Sequence, residues 1–110
     1  PDGAVLYVTD NGTGEVLRYA VAPGGSTSAP EVLFASSGGP DGMAVDDGGN
    51  LYVTTTAGID VVRADGSPWG RIDVPEVPAN CTFGGADRRT LFITARTSLY
   101  RVDLAIPGLP

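Results

Sequence analysis

The sequence predicts an all-β chain, a partial β-propeller of about two and a half four-stranded blades. Three observations predict it. A strand motif recurs as Leu6-Tyr7-Val8-Thr9, Leu51-Tyr52-Val53-Thr54 and Leu91-Phe92-Ile93-Thr94, at intervals of 45 and 40 residues. A second strand follows each copy, at Val16-Leu17-Arg18-Tyr19, Ile59-Asp60-Val61-Val62 and Leu99-Tyr100-Arg101-Val102, with intervals of 43 and 40. No segment has helical period, and 16 Gly and 9 Pro punctuate a chain that is 42% apolar, as in a turn-rich packed sheet protein and unlike a disordered tract.

Repeats of this length that are built from strands are propeller blades, whereas HEAT and tetratricopeptide repeats are helical. A β-sandwich would also accommodate ten short strands with frequent turns. The period shared by two independent landmarks favours the propeller.

The first blade spans about 1–39. Its strands are the first motif copy, Val16 to Tyr19 and Glu31 to Ala35, with Asp10-Asn11-Gly12 as the first turn. The second blade, about 40–78, opens with a short apolar run from Gly42 to Asp46 and turns at Asp46-Asp47-Gly48-Gly49 into the second copy. Ile59 to Val62 follows, then Ala64-Asp65-Gly66 and a strand from Trp69 to Val74. The third blade, about 79–110, runs Cys81 to Gly84, turns at Gly85-Ala86-Asp87, and ends with the third copy and Leu99 to Val102. Prolines 23, 30, 40, 68, 75 and 78 are expected between strands, because proline has no N–H for a ladder. Ring closure needs roughly four to eight blades. The chain is therefore expected to be a piece of a larger propeller, lacking part of it before Pro1, or to assemble with further copies of itself.

Charge and composition exclude several chemistries. With 13 acidic residues, 7 arginines and neither lysine nor histidine, the chain carries a net charge of −6 and lacks the clustered basic face that nucleic acid demands. Without histidine there is no Ser-His-Asp triad, no His-ligated zinc and no imidazole base; without lysine there is no Schiff base and no P-loop. Carboxylates and amides remain. The longest uncharged runs, Tyr19 to Pro30 and Gly48 to Ile59, hold 12 residues each, too few for a membrane helix. A soluble protein is expected, with the cytoplasm favoured over the periplasm or secretion. The single Cys81 cannot close an internal disulfide and is expected to be a small buried residue, since nothing around it in sequence would lower its pKa.

Gly39-Pro40-Asp41-Gly42-Met43-Ala44-Val45-Asp46, with Gly49-Asn50-Leu51-Tyr52-Val53 behind it, resembles the gluconolactonase family, which includes the regucalcins. Val77 to Gly85 and Thr90 to Thr94 look like that family's last blade. The resemblance implies a six-bladed propeller whose channel holds one divalent cation, Ca²⁺, Zn²⁺ or Mg²⁺, and hydrolyses a sugar lactone or related cyclic ester. It implies that Asp41 is both metal ligand and the carboxylate that activates water. The family's other two ligands, a glutamate and an asparagine, would lie before Pro1. One carboxylate and one amide cannot satisfy a cation that takes about six to eight oxygens, so weak or no metal binding is expected of these 110 residues alone.

Read from its residues, Asp41 sits where a blade begins, just ahead of the innermost strand from Met43 to Val45, although Pro-Asp-Gly is also a common turn. Asn80 matches it in hairpin position: Asp41 precedes Leu51 by ten residues and Asn80 precedes Leu91 by eleven. The amide is expected either to contact substrate or to satisfy backbone groups. Met43 is expected beside them as a substrate contact. Asp2 and Asp87 are expected as solvated turn residues, Arg88-Arg89 and Asp46-Asp47 as exposed tips, and Arg18 and Arg101 as a repeated structural pairing. Tyr7, Tyr52, Trp69, Phe83 and Phe92 are expected in the core between blades. The glycosylation tripeptides at Asn11 and Asn80 are weak patterns. A non-catalytic propeller used as a binding scaffold is the alternative function.

Overall fold

The computed structural model describes residues 3–110, and Asp2 falls outside them. Ten strands form three antiparallel sheets: β1 Val5–Asp10, β2 Glu15–Ala20 and β3 Glu31–Ala35; β4 Met43–Val45, β5 Leu51–Thr55, β6 Gly58–Val62 and β7 Pro68–Ile72; β8 Pro78–Gly84, β9 Thr90–Ala95 and β10 Leu99–Asp103. The described residues contain no helix, hence none long and apolar enough to cross a membrane. Each sheet is an up-and-down meander, so neighbours in sequence are neighbours in space. The middle sheet is a complete four-stranded blade. Among the described residues the first sheet shows three strands, without a counterpart of β4 and β8, and the third shows three, without a counterpart of β7.

Two apolar clusters hold the blades together. Val16 of the first blade packs with Leu51, Val53 and Val62 of the second, with Tyr7 and Phe34 against them. Tyr52 and Ile59 of the second pack with Cys81, Leu91 and Ile93 of the third, and the Tyr52 and Phe83 rings meet edge to face at 5.2 Å. The two faces of the second motif copy therefore serve different neighbours, Leu51 and Val53 the first blade and Tyr52 the third, as the period-2 alternation of a strand dictates.

The ten strands match the sequence reading, with four corrections. Pro68 and Pro78 do not separate strands but begin β7 and β8; a first residue can do without a ladder N–H. Asp46 is not an exposed tip. It is fully buried and accepts hydrogen bonds from the Asn50 main chain (2.9 Å), both its oxygens meet Asn50 Nδ2 (3.0 and 2.9 Å), and it accepts another from the Tyr52 hydroxyl (3.2 Å). The C-terminal segment returns over this hairpin, pairing Gly108 with Asp46 and donating the Leu109 N–H to Val45 O. Trp69 is not between blades: it lies on the outermost strand, half-exposed, under the Arg63 guanidinium at 5.2 Å. Arg18 pairs with Glu31 at 2.8 Å, but Arg101 makes no ion pair among the described residues, so their shared position does not repeat one contact.

Candidate functional site

The Gly39-Pro40-Asp41-Gly42 run crosses from the first blade into β4 with every main-chain polar group from the Pro40 carbonyl to the Gly42 carbonyl engaged. Asn11 Nδ2 donates to Pro40 O (3.2 Å) and Thr9 Oγ1 to Asp41 O (2.6 Å). The Asp41 N–H donates to Thr54 O (2.9 Å), and the Thr54 N–H returns to Gly42 O (2.9 Å). The Gly42 N–H is shared between Ala79 O (3.0 Å) and Thr54 Oγ1 (2.9 Å). Residues from all three blades thus fix one short segment.

Asp41 itself is exposed, and no described residue hydrogen-bonds its carboxylate. Its main chain is immobilised while its side chain has no structural duty. Such a group can be held in a productive geometry at no cost to the fold.

Asn80 stands against this segment. An added Cβ on Gly42 would lie 2.2 Å from Asn80 Oδ1 and 2.7 Å from Asn80 Cα, so only glycine lets β4 and β8 approach so closely. Asn80 Oδ1 accepts the Cys81 N–H (2.8 Å), which leaves its Nδ2 hydrogens without a partner among the described residues. Ala79 is the extra residue of a bulge in β8: Pro78 faces Ala95 and Asn80 faces Thr94. The bulge turns the Ala79 carbonyl out of its own ladder, where it accepts from Gly42 N and Thr54 Oγ1 (2.9 Å) of the preceding blade.

The strand register corrects one spacing. Met43 faces Val53 and Cys81 faces Ile93, so continuing one step pairs Gly42 with Thr54 as Asn80 pairs with Thr94. Asn80 therefore takes the place of Gly42, and the third-blade hairpin is two residues longer, not one. Asp41 precedes β4 by two residues and Asn80 is the third residue of β8, so the residue that stands directly against Asn80 is Gly42, the next one along from Asp41. Met43 is half-buried and packs against the cluster of Val16, Leu51, Val53 and Val62.

Thr9 and Thr54 were not among the residues expected at the site. Their signal was in the sequence: threonine closes every copy of the repeated motif, and the side chain of each of these two bridges to the blade that follows. Asn11, flagged only for its tripeptide, is likewise a clamp. Asp87 is a turn residue as expected, accepting the Arg89 N–H at 3.2 Å. Cys81 is buried, donates to Tyr52 O, and has its thiol pKa pushed up to about 12 by burial, so it is neither nucleophile nor soft metal ligand.

The donors available here are a carboxylate and an amide. These are hard oxygen ligands, which suit Ca²⁺ or Mg²⁺ better than a metal seeking nitrogen or sulfur. Among the described residues no three acidic, cysteine or histidine side chains lie close enough to hold a metal together. Asp41 and Asn80 fit as part of a cation site and not as all of one. A separate cavity of about 420 Å³, lined by Phe34, Ser37, Asp60 and Arg71, lies between the outer strands, and Asp41 does not line it.

The chain is similar to several known proteins. A 6-deoxy-6-sulfogluconolactonase of Pseudomonas putida is 35% identical over 102 residues, covering 86% of this chain and 35% of that protein. The gluconolactonase XC5397 of Xanthomonas campestris superposes with a TM-score of 0.84 at 32% identity, over 99% of this chain and 35% of its own. A structure titled as a calcium-binding protein, regucalcin, from Agrobacterium tumefaciens superposes at 0.89 with 22% identity over 99% of this chain and 45% of that one, a likeness of fold alone. The chain spans about a third of the length of the curated relatives it matches. The model of the SMP-30/gluconolactonase/LRE-like region matches residues 1–97, and with most of its length inside that match the chain belongs to this family.

Proposed function

We propose that this chain forms part of a metal-dependent hydrolase of a sugar lactone or related cyclic ester, in a ring completed by further blades. The observation that carries the reading is Asp41: a carboxylate with no hydrogen-bond partner among the described residues, on a segment whose main chain is pinned by Thr9, Asn11, Thr54 and Ala79. Relatives and neighbours named as gluconolactonases support the substrate class. The hard oxygen donors of Asp41 and Asn80 support a divalent cation. That cation, when bound, would supply polarisation of the ester carbonyl.

The roles left to this chain are local. An Asp41 carboxylate oxygen would contribute one ligand and accept a proton from the attacking water. The water oxygen adds to the acyl carbon, the ring C–O bond breaks, and the proton passes to the departing alkoxide, giving the open hydroxy acid. Asn80 Nδ2 would donate a hydrogen bond to a substrate oxygen, and the uncovered part of Met43 would give an apolar contact.

The test is lactone hydrolysis, followed by acid release, in the protein with its ring complete. Asp41→Asn is expected to lower turnover by roughly 100-fold or more while leaving the fold intact. Unchanged turnover would remove the proposal. Calorimetry on the 110 residues alone is expected to show no tight stoichiometric Ca²⁺ uptake.

A further inference from the structure

The strand register puts three residues at equivalent places in the three blades: Leu17 opposite Val8, Asp60 opposite Val53 and Tyr100 opposite Ile93. Only the second blade carries a charge there. Asp60 is 8% exposed, on the face turned to the first blade, where the Ser36 hydroxyl donates to its Oδ2 (3.2 Å). Its Oδ1 accepts the Nε–H of Arg71, the residue opposite it on β7, at 2.7 Å. A buried carboxylate is costly unless it is paired and hydrogen-bonded, and here both oxygens are engaged. The unused capacity lies on the arginine. Its Nη1 and Nη2 groups have no hydrogen-bond partner among the described residues, and neither has the Ser37 hydroxyl.

Arg71, Asp60 and Ser37 line the cavity of about 420 Å³ between the first two blades, with Phe34 and Pro68 among its apolar walls. β3 and the turn after it supply one wall, and β6 and β7 the other. We propose that this cavity binds a small organic acid, a monoanionic carboxylate on a flat apolar body. With its Nε–H held by Asp60, the guanidinium is fixed in orientation, and its far edge offers Nη1–H and Nη2–H as two parallel donors, the fork that suits a carboxylate. The Ser37 hydroxyl can add a third donor. No other cation lines the cavity, and the Asp60 carboxylate stands beside the one that does, so phosphate with its second charge is a poorer match. The apolar walls favour a ring over a polyhydroxylated acid. Asp41 does not line this cavity, so the site does not depend on the proposed hydrolysis.

The test is an amide NMR titration of the protein with its ring complete, with benzoate as the probe, benzamide as its uncharged isostere and inorganic phosphate as an anion without a ring. Benzoate at millimolar concentration is expected to give saturable shifts at Ser37, Gly70 and Arg71 and none at Asp41 or Asn80. Benzamide and phosphate are expected to bind at least about 10-fold more weakly. Arg71→Gln is expected to weaken benzoate roughly 10-fold or more, and Ser37→Ala by less. Should Arg71→Gln misfold because Asp60 loses its partner, Arg71→Lys keeps a cation there without the parallel N–H pair, and it too is expected to weaken benzoate. Absence of saturable shifts near Ser37 and Arg71, or shifts confined to Asp41 and Asn80, would overturn the site. Benzamide or phosphate binding as tightly as benzoate, or benzoate affinity unchanged by Arg71→Lys, would overturn the assignment to an organic acid held by this guanidinium.

Discussion

The Thr54 hydroxyl lies 2.9 Å from the Ala79 carbonyl oxygen and 3.0 Å from that of Gly42, while accepting the Gly42 N–H at 2.9 Å. One fully buried side chain thereby ties the entry of the second blade's innermost strand to the bulge of the third. It is the central fastening of the segment that carries Asp41.

Replacing this hydroxyl tests the fastening. Thr54→Val keeps the shape but leaves buried carbonyl groups with fewer donors, and is expected to cost about 1–3 kcal/mol in urea unfolding. Thr54→Ser is expected to recover most of it.

Gly42→Ala is expected to destabilise by about 1–3 kcal/mol, because the new methyl would meet Asn80 main chain as well as side chain. The two innermost strands would have to separate. Chemical denaturation reads the cost, and amide exchange at Asp41 and Gly42 is expected to quicken.

Asp46→Ala is expected to cost at least about 3 kcal/mol. The buried Asn50 amide and Tyr52 hydroxyl would both lose their acceptor. Asp41→Asn, at an exposed residue without a partner, is expected to stay within about 0.5 kcal/mol of the parent. A similar loss for both variants would contradict the contrast drawn between these carboxylates.

Stability is expected to fall in alkali. Burial pushes the Cys81 thiol up from 9.0 to about 12, and burial, then the Asp46 charge and hydrogen bond, push the Tyr52 phenol up from 10.0 to about 12. Between the unfolded and folded values the folded chain binds more protons than the unfolded one, so stability is complete below about pH 9 and declines toward pH 12. Cys81→Ala is expected to flatten the part of that decline that begins near pH 9. In the folded chain at pH 8 the Cys81 thiol is expected to resist alkylation until denaturant is added.

The fold was legible because its signal is local and repeated. Three copies of one four-residue strand, each with a partner strand at nearly the same offset, fix both the blade and its period. Proline misled at positions 68 and 78, where the rule against ladder proline does not reach a strand's first residue. The site was legible only in outline. Asp41 and Asn80 could be placed near the innermost strands by counting. The counting missed by one residue for Asn80 because the β8–β9 hairpin is two residues longer than the β4–β5 hairpin, a difference that leaves no mark in composition.

The sequence by itself determined the strand order, the alternation that decides which residues of a strand share a face, and the absence of histidine and lysine that confines chemistry to oxygen donors. Only the tertiary structure decided that Asp46 is buried while Asp41 is open, though both are aspartates in glycine-containing turn sequences. The reason is that burial depends on which distant segment arrives: Gly108 and Leu109 close over Asp46, whereas no described segment closes over the Asp41 carboxylate.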